Sequence, residues 1–360
     1  MGLRVIKPDT NINFIGIRKL AFILSASLIL IGLVSLISKG GPRYGIDFSG
    51  GVIVQLKFDQ GAELGALKDT LEQTNLPGLV VQRFGMDAEN EFLVRTSADK
   101  ISPEQIRDQV RTELSTRLPD KEFEIQRLEM VGPKVGADLR SNAMEALFFA
   151  VLLIAIYISG RFEQRWMTSA VMAGGLAIGV YFLKLMHAPM GFLIVAAMLI
   201  TLGLCWYLKL NYAFGAIIAL IHDVLITLGL FSLLNKQFDL SIVAAFLTII
   251  GYSLNDTIIV FDRIRENLRA KISKSLEKTI NKSINQTLSR TLLTSGTTLL
   301  VVLCLFLFGG GVIHDFAFAL LVGILVGTYS SIYVASPILL GFRPGEEEED
   351  GGEKEGSVPA

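Results

Sequence analysis

Eight stretches of this chain are apolar over close to the twenty or so residues that a helix needs to cross a hydrocarbon core. They run approximately Leu20–Ile37, Ala143–Ile158, Met167–Met186, Met190–Leu208, Tyr212–Leu234, Leu240–Phe261, Leu292–Phe308 and Phe316–Leu340. Hydrophobic residues make up 51% of the 360 and collect in these runs instead of spreading through a soluble core. The fold class that follows is a polytopic α-helical membrane protein of about eight spans. The net charge of −1 points to no polyanionic partner, so no nucleic acid is expected. Cys205 and Cys304 both lie inside apolar runs, so neither a disulfide framework nor a metal site is expected.

The first run follows Arg18-Lys19 and is too long for a signal peptide. "SKGGPRYG" after it lacks a small-x-small cleavage pattern, so it reads as a retained anchor covering residues 1–38. Residues 39–141 have ordinary charge content. "GVIVQLKF", "LVVQRF", "NEFLVRTS" and "FEIQRLEMVG" read as strands, and "AELGALKDTLEQTN" as a helix. A second helix begins at "SPEQIRDQV", with Ser102 as N-cap and Pro103 at the first helical position. The order βαββαβ predicts a small ferredoxin-like α+β domain.

Lysine and arginine in the short connections orient the rest. Arg4, Lys7, Arg18, Lys19, Arg161, Arg165 and the eight basic residues from Arg263 to Arg290 fall on one side when eight spans are threaded. That side is cytoplasmic and holds both termini; the α+β domain lies outside. The basic segment 263–290 is partly amphipathic and predicts one or two helices lying on the membrane surface. Its Asn281-Lys282-Ser283 and Asn285-Gln286-Thr287 match the glycosylation pattern by chance, because they face the cytoplasm. The bundle occupies 142–342, and the acidic, Gly-rich tail 343–360 is expected to be disordered.

Against this background a carboxylate at Asp256, inside "FLTIIGYSLNDTIIVF", needs a reason. A charge at the bilayer centre costs about 2.5–3.5 kcal/mol or more. On a helix Ser253, Asp256, Val260 and Arg263 share a face, with Gly251, Asn255 and Asp262 on a neighbouring stripe. Gly251 is expected to admit a neighbouring helix closely. His222-Asp223 lies halfway along another run, and Arg290 opens a span whose first half carries Thr291, Thr294, Ser295, Thr297 and Thr298. Together Asp256, Arg290, Asp223, His222 and Asn255 suggest a proton relay in which an arginine approaching or leaving Asp256 sets its charge. The plainer alternative is a set of interhelical hydrogen bonds and ion pairs. His187 and His314 fall in expected outer loops and carry no assigned role.

"YGIDFSGG" (44–51), "VGPKVG" (131–136), "IHDVLITLG" (221–229), "GYSLNDTIIVFDRIREN" (251–267), "LSRTLLTSGTT" (288–298) and "SSIYVASP" (330–337) occur in that order. The series resembles the SecF family of bacterial protein-export membrane subunits, in the resistance-nodulation-division superfamily. The resemblance implies a protein of the bacterial inner membrane, working with SecD at the SecYEG channel, with YajC and YidC as further candidate partners. It implies use of the proton-motive force to promote passage of exported, unfolded polypeptides, without covalent catalysis and without a cofactor. It places Asp256 and Arg290 on the proton path, with a further acidic residue supplied by SecD. It also implies six spans, so the runs within about 167–210 read as an inserted hairpin; "WMTSAVMA" (166–173) faintly echoes "YAFGAIIA" (212–219), and Gly175 and Gly179 suit close packing.

The alternative function is a proton-driven exporter of small molecules from the same superfamily. Such exporters usually carry a much larger outer region and a twelve-span core in one chain. A third reading is a passive scaffold in which Asp256 and Arg290 only pair two helices.

Overall fold

The computed structural model describes residues 11–84, 90–97, 101–163 and 190–341, with isolated residues between 167 and 178. Peptide groups in hydrocarbon find no water, so a spanning segment must bond within itself, as a helix does. Among the described residues, six helical segments are long and apolar enough to cross a membrane: Ile15–Ser38, Pro133–Phe162, Asn211–Leu233, Leu240–Arg269, Leu276–Phe308 and Ile313–Gly341. They contain α1 (Arg18–Ser38), α5 (Pro133–Glu163), α7 (Asn211–Leu233), α8 (Leu240–Arg269), α9 (Leu276–Phe308) and α10 (Gly310–Ser330). Of the expected hairpin, Met167–Met186 lies mostly outside the described residues, as does Gly179, and the second run forms α6 (Met190–Tyr207).

Between α1 and α5 stand α2 (Ile46–Ser49), β1 (Gly51–Phe58), α3 (Leu64–Glu72), β2 (Val80–Phe84), β3 (Glu91–Thr96), α4 (Pro103–Arg117) and β4 (Phe123–Val131). The sheet order is β2-β3-β1-β4, and every neighbouring pair is antiparallel. Alternation decides which face is covered. Val52, Val54, Leu56 and Phe58 of the central β1 are buried with Leu67, Leu71, Ile106, Val110 and Leu114 of the two helices. The start of α4 is a capping box: Ser102 Oγ accepts from Gln105 N–H, and Gln105 Oε1 accepts from Ser102 N–H, each at 3.3 Å.

"GIDFSGG" turns the chain into β1. Gly50 and Gly51 have φ of +72° and +126°, and a Cβ at Gly51 would lie 2.5 Å from the Thr96 carbonyl oxygen, so only glycine fits. A Cβ at Gly136 would lie 3.0 Å from Gly50 N. The two glycine motifs, 80 or so positions apart in the chain, therefore pack against each other where the α/β unit meets α5.

The basic segment differs from its expected form. No separate surface helix forms: α8 runs on to Arg269, a turn follows, and α9 begins at Leu276. No Gly or Pro falls in 263–269 or 276–290, so each helix extends regularly on its own side of the turn. The amphipathic stripe packs inward, burying Ile264, Ile280, Ile284 and Leu288 in the bundle core. Asn267 Nδ2 bridges the extensions, donating to Ser283 Oγ and Gln286 Oε1 at 2.8 Å each. Asn281 and Asn285, the chance glycosylation matches, each donate to the Ile12 carbonyl at 2.9 Å and so hold the N-terminal segment.

Close helix approach also falls elsewhere than expected. Gly251 is exposed, and a side chain there would meet nothing within 4 Å. Instead α1 and α7 touch at Gly32 and Gly229, where a Cβ on either would lie 2.7 Å from the other's Cα. Gly327 of α10 likewise makes room for Ser253 of α8.

Candidate functional site

Among the described residues two buried carboxylates lie in the bundle, Asp223 on α7 and Asp256 on α8. Asp223 is satisfied on both oxygens. Its Oδ1 meets His222 Nδ1 at 2.8 Å, and its Oδ2 accepts from Ser253 Oγ at 2.5 Å and from Ser330 Oγ at 2.9 Å. His222 Nε2 lies 2.9 Å from Ser25 Oγ of α1, which lies 3.1 Å from the Tyr329 hydroxyl, which donates to the Ala21 carbonyl at 2.8 Å. Residues from α1, α7, α8 and α10 thus close one polar network inside an apolar bundle.

Pro337 shapes the α10 side of this network. A proline within a helix has no N–H for the carbonyl four residues back, and its ring crowds that carbonyl. The helix answers with a π turn over Ser331–Ala335, a feature frequent at functional sites. Ser336 Oγ donates to the Ser331 carbonyl across it at 2.7 Å. Ser330 stands at the end of the regular helix, immediately before the widened turn, facing Asp223.

Hydrogen counting says what this network can do. The run Asp223–His222–Ser25–Tyr329–Ala21 contains four contacts, each needing one hydrogen. Ser25, Tyr329 and a neutral His222 supply one each, beside an ionised Asp223. Full satisfaction of the run therefore requires one additional proton on the His222–Asp223 pair.

Asp256 is buried but differently placed. Its Oδ2 accepts from Ser295 Oγ of α9 at 3.0 Å, and Ser295 Oγ in turn accepts from Thr328 Oγ1 of α10 at 2.9 Å. Among the described residues its Oδ1 has no partner, and neither does Thr291 Oγ1, one helical turn from Ser295 on the same face of α9. Asp256 and Ser253 are themselves one turn apart on α8, so the two carboxylate sites adjoin.

The sequence-predicted residues divide accordingly. His222 and Asp223 touch, and Asp256 lies one turn from their shared donor Ser253. Arg290 is exposed and makes no ion pair with Asp256 among the described residues; its charge acts on that carboxylate only through space. Asn255 is exposed, on the stripe with Gly251 and away from both carboxylates. Ser25, Thr328 and Tyr329 carry no expectation from sequence, and Ser330 enters only as the first residue of "SSIYVASP", although the polar run "TYSS" inside an apolar span is a signal of the same kind as Asp256.

A bundle of apolar helices that encloses two carboxylates among hydroxyls and carries a small α/β unit defines the class: a multi-pass membrane protein with polar groups held inside its helices. The family model described as "Protein export membrane protein SecD/SecF, C-terminal" matches residues 111–205 and 183–344, and that for the "SecD/SecF GG Motif" matches 35–62. The chain belongs to the SecF family. It is 41% identical over 340 residues to the protein translocase subunit SecF of Calditerrivibrio nitroreducens, covering 94% of this chain and 96% of that one. It is 42% identical to the SecF subunit of Desulfurispirillum indicum, covering 92% of each. It is also similar to the crystal structure of SecDF, a translocon-associated membrane protein, from Thermus thermophilus, with a TM-score of 0.68 at 32% identity. That match covers 92% of this chain but 39% of the SecDF chain.

Proposed function

We propose that the protein is a proton-coupled, non-enzymatic subunit of the Sec translocase, paired with SecD and acting at the SecYEG channel, with YajC and YidC as further candidate neighbours. In this reading it uses the proton-motive force to promote the export of unfolded polypeptides. The carrying observation is Asp256: a buried carboxylate with one oxygen unpartnered and no bonded cation among the described residues. A carboxylate serving only to hold helices together would be expected to look like Asp223, bonded on both oxygens. The scaffold alternative needs an Asp256–Arg290 pair, which this arrangement does not contain.

The α/β unit, with its βαββαβ order and antiparallel sheet, supports a ferredoxin-like reading over about 39–141. The lysine and arginine bias supports placing it outside, with both termini and the α8–α9 bend in the cytoplasm. The eight-span count, with a hairpin inserted near 167–210, is supported by α6 and by the overlap of the two family matches over 183–205. An even number of added spans leaves the downstream orientation unchanged.

The test is Asp256→Asn in the assembled complex. Export should lose its dependence on the proton gradient while assembly with SecD persists; unchanged gradient dependence would overturn the proposal.

A further inference from the structure

Helix α8 carries Asp256, and its first turn is capped twice, once from inside and once from outside the bundle. The first N–H groups of a helix have no partner within it, and the helix dipole favours negative charge there. Asp239 Oδ1 accepts from Ile242 N–H at 3.0 Å. Asp47 Oδ2 accepts from Leu240 N–H at 3.0 Å, although Asp47 belongs to α2 of the α/β unit, 193 positions away. Around this bond the backbone is clipped: Phe238 N–H donates to the Arg43 carbonyl at 2.7 Å and Gly45 N–H to the Phe238 carbonyl at 3.0 Å. The Phe48 ring lies 6.2 Å from that of Phe238, which lies 5.6 Å from that of Phe246 in α8. A Cβ at Gly45 would lie 3.0 Å from Asp239 Cβ, so the approach depends on glycine. Burial pushes the Asp239 carboxyl up from its usual range, and the negative charges of Asp47 and Asp315 add to this.

We infer that Asp47 is a positioning residue that couples the α/β unit to the state of Asp256, by holding the end of the helix on which Asp256 sits. The backbone clip fixes the loop before α8, and Asp47 extends the attachment from α2 into the helix itself. Because α2 leads through Gly50 and Gly51 directly into β1, movement of the sheet reaches the first turn of α8 through this carboxylate. The inference rests on the proton-coupling reading of Asp256.

Coupling between two sites is reciprocal, and this separates it from simple capping. In the complex with SecD, amide hydrogen exchange at Leu240 should differ severalfold between the unmodified protein and Asp256→Asn. In Asp47→Ala, exchange at Leu240 should quicken by about tenfold, the order set by loss of one cap, and should no longer respond to Asp256→Asn. Gradient stimulation of export should vanish in Asp47→Ala and survive in Asp47→Asn, which keeps an accepting oxygen. Leu240 exchange that ignores residue 256, or full gradient stimulation in Asp47→Ala, would overturn the inference. If Asp47→Ala does not assemble, the comparison at residue 256 alone decides, because it leaves Asp47 in place. Failure of the proton reading shows separately, as gradient-stimulated export retained in Asp256→Asn.

Discussion

At the scale of single residues, the informative contrast is between the two aspartates. Asp223 receives bonds on both oxygens and Asp256 on one. Alanine at 223 would leave Ser253, Ser330 and His222 without their shared acceptor, so Asp223→Ala should destabilise the protein by about 1–3 kcal/mol, the cost of buried unsatisfied groups. At 256 an asparagine keeps its acceptor toward Ser295 and puts its amide where Oδ1 has no partner among the described residues, so no existing bond is lost. Asp256→Asn should therefore change stability by less than about 1 kcal/mol. Thermal unfolding of the two variants in detergent checks the ordering. The carboxylates themselves were legible in the sequence, because a charge in an apolar run is conspicuous. Their partnerships were not: Ser25 and the "TYSS" run that holds Ser330 are hundreds of positions apart, and only packing brings them to His222-Asp223. Pairing of Arg290 with Asp256 was a plausible expectation from reach alone, but a long side chain at a helix surface has many places to go.

Among the elements, the α1–α7 contact sets a sharp geometric limit. With Gly32 and Gly229 backbone to backbone, a methyl at either position must push the helices apart, since no flexible side chain can give way. Gly229→Ala should cost about 1–3 kcal/mol, the range for overpacking. It should also weaken the Ser35–Ser232 bond, 2.8 Å long, one turn further out. A lowered unfolding temperature is the expected result, whereas Gly251→Ala, with open space around it, should leave the temperature nearly unchanged. Strands and helix starts were readable because they follow from local rules: alternation in "GVIVQLKF" and the Ser102-Pro103 cap. The fate of the basic segment was not, since an amphipathic stretch carries the same pattern whether its apolar face meets lipid headgroups or another helix. Here Ile264, Ile280 and Ile284 find each other's helices. Gly251 shows the same limit: small size permits a close approach without saying which glycine is used.

For the whole molecule, the arrangement makes a prediction about sidedness. The N-terminal segment is bonded to α9 through Asn281, Asn285 and the Arg18–Glu277 ion pair at 2.9 Å, so it lies at the α8–α9 bend. The α/β unit lies at the opposite end of α8, against Phe238 and Leu240. In a cysteine-free background, Ile272→Cys should react with a membrane-impermeant thiol reagent only from the cytoplasmic face. Lys121→Cys should react only from the other. Labelling of both from one side would contradict the placement.

The length of α8 has a mechanical meaning. Its 30 residues form a rod about 45 Å long. A swing of about 5° at one tip would carry the other about 4 Å, more than the ~3 Å span of a hydrogen bond. Leverage of that size means small rocking of the sheet is enough to make or break a contact at the far side of the bilayer, with no side chain needing to travel the distance.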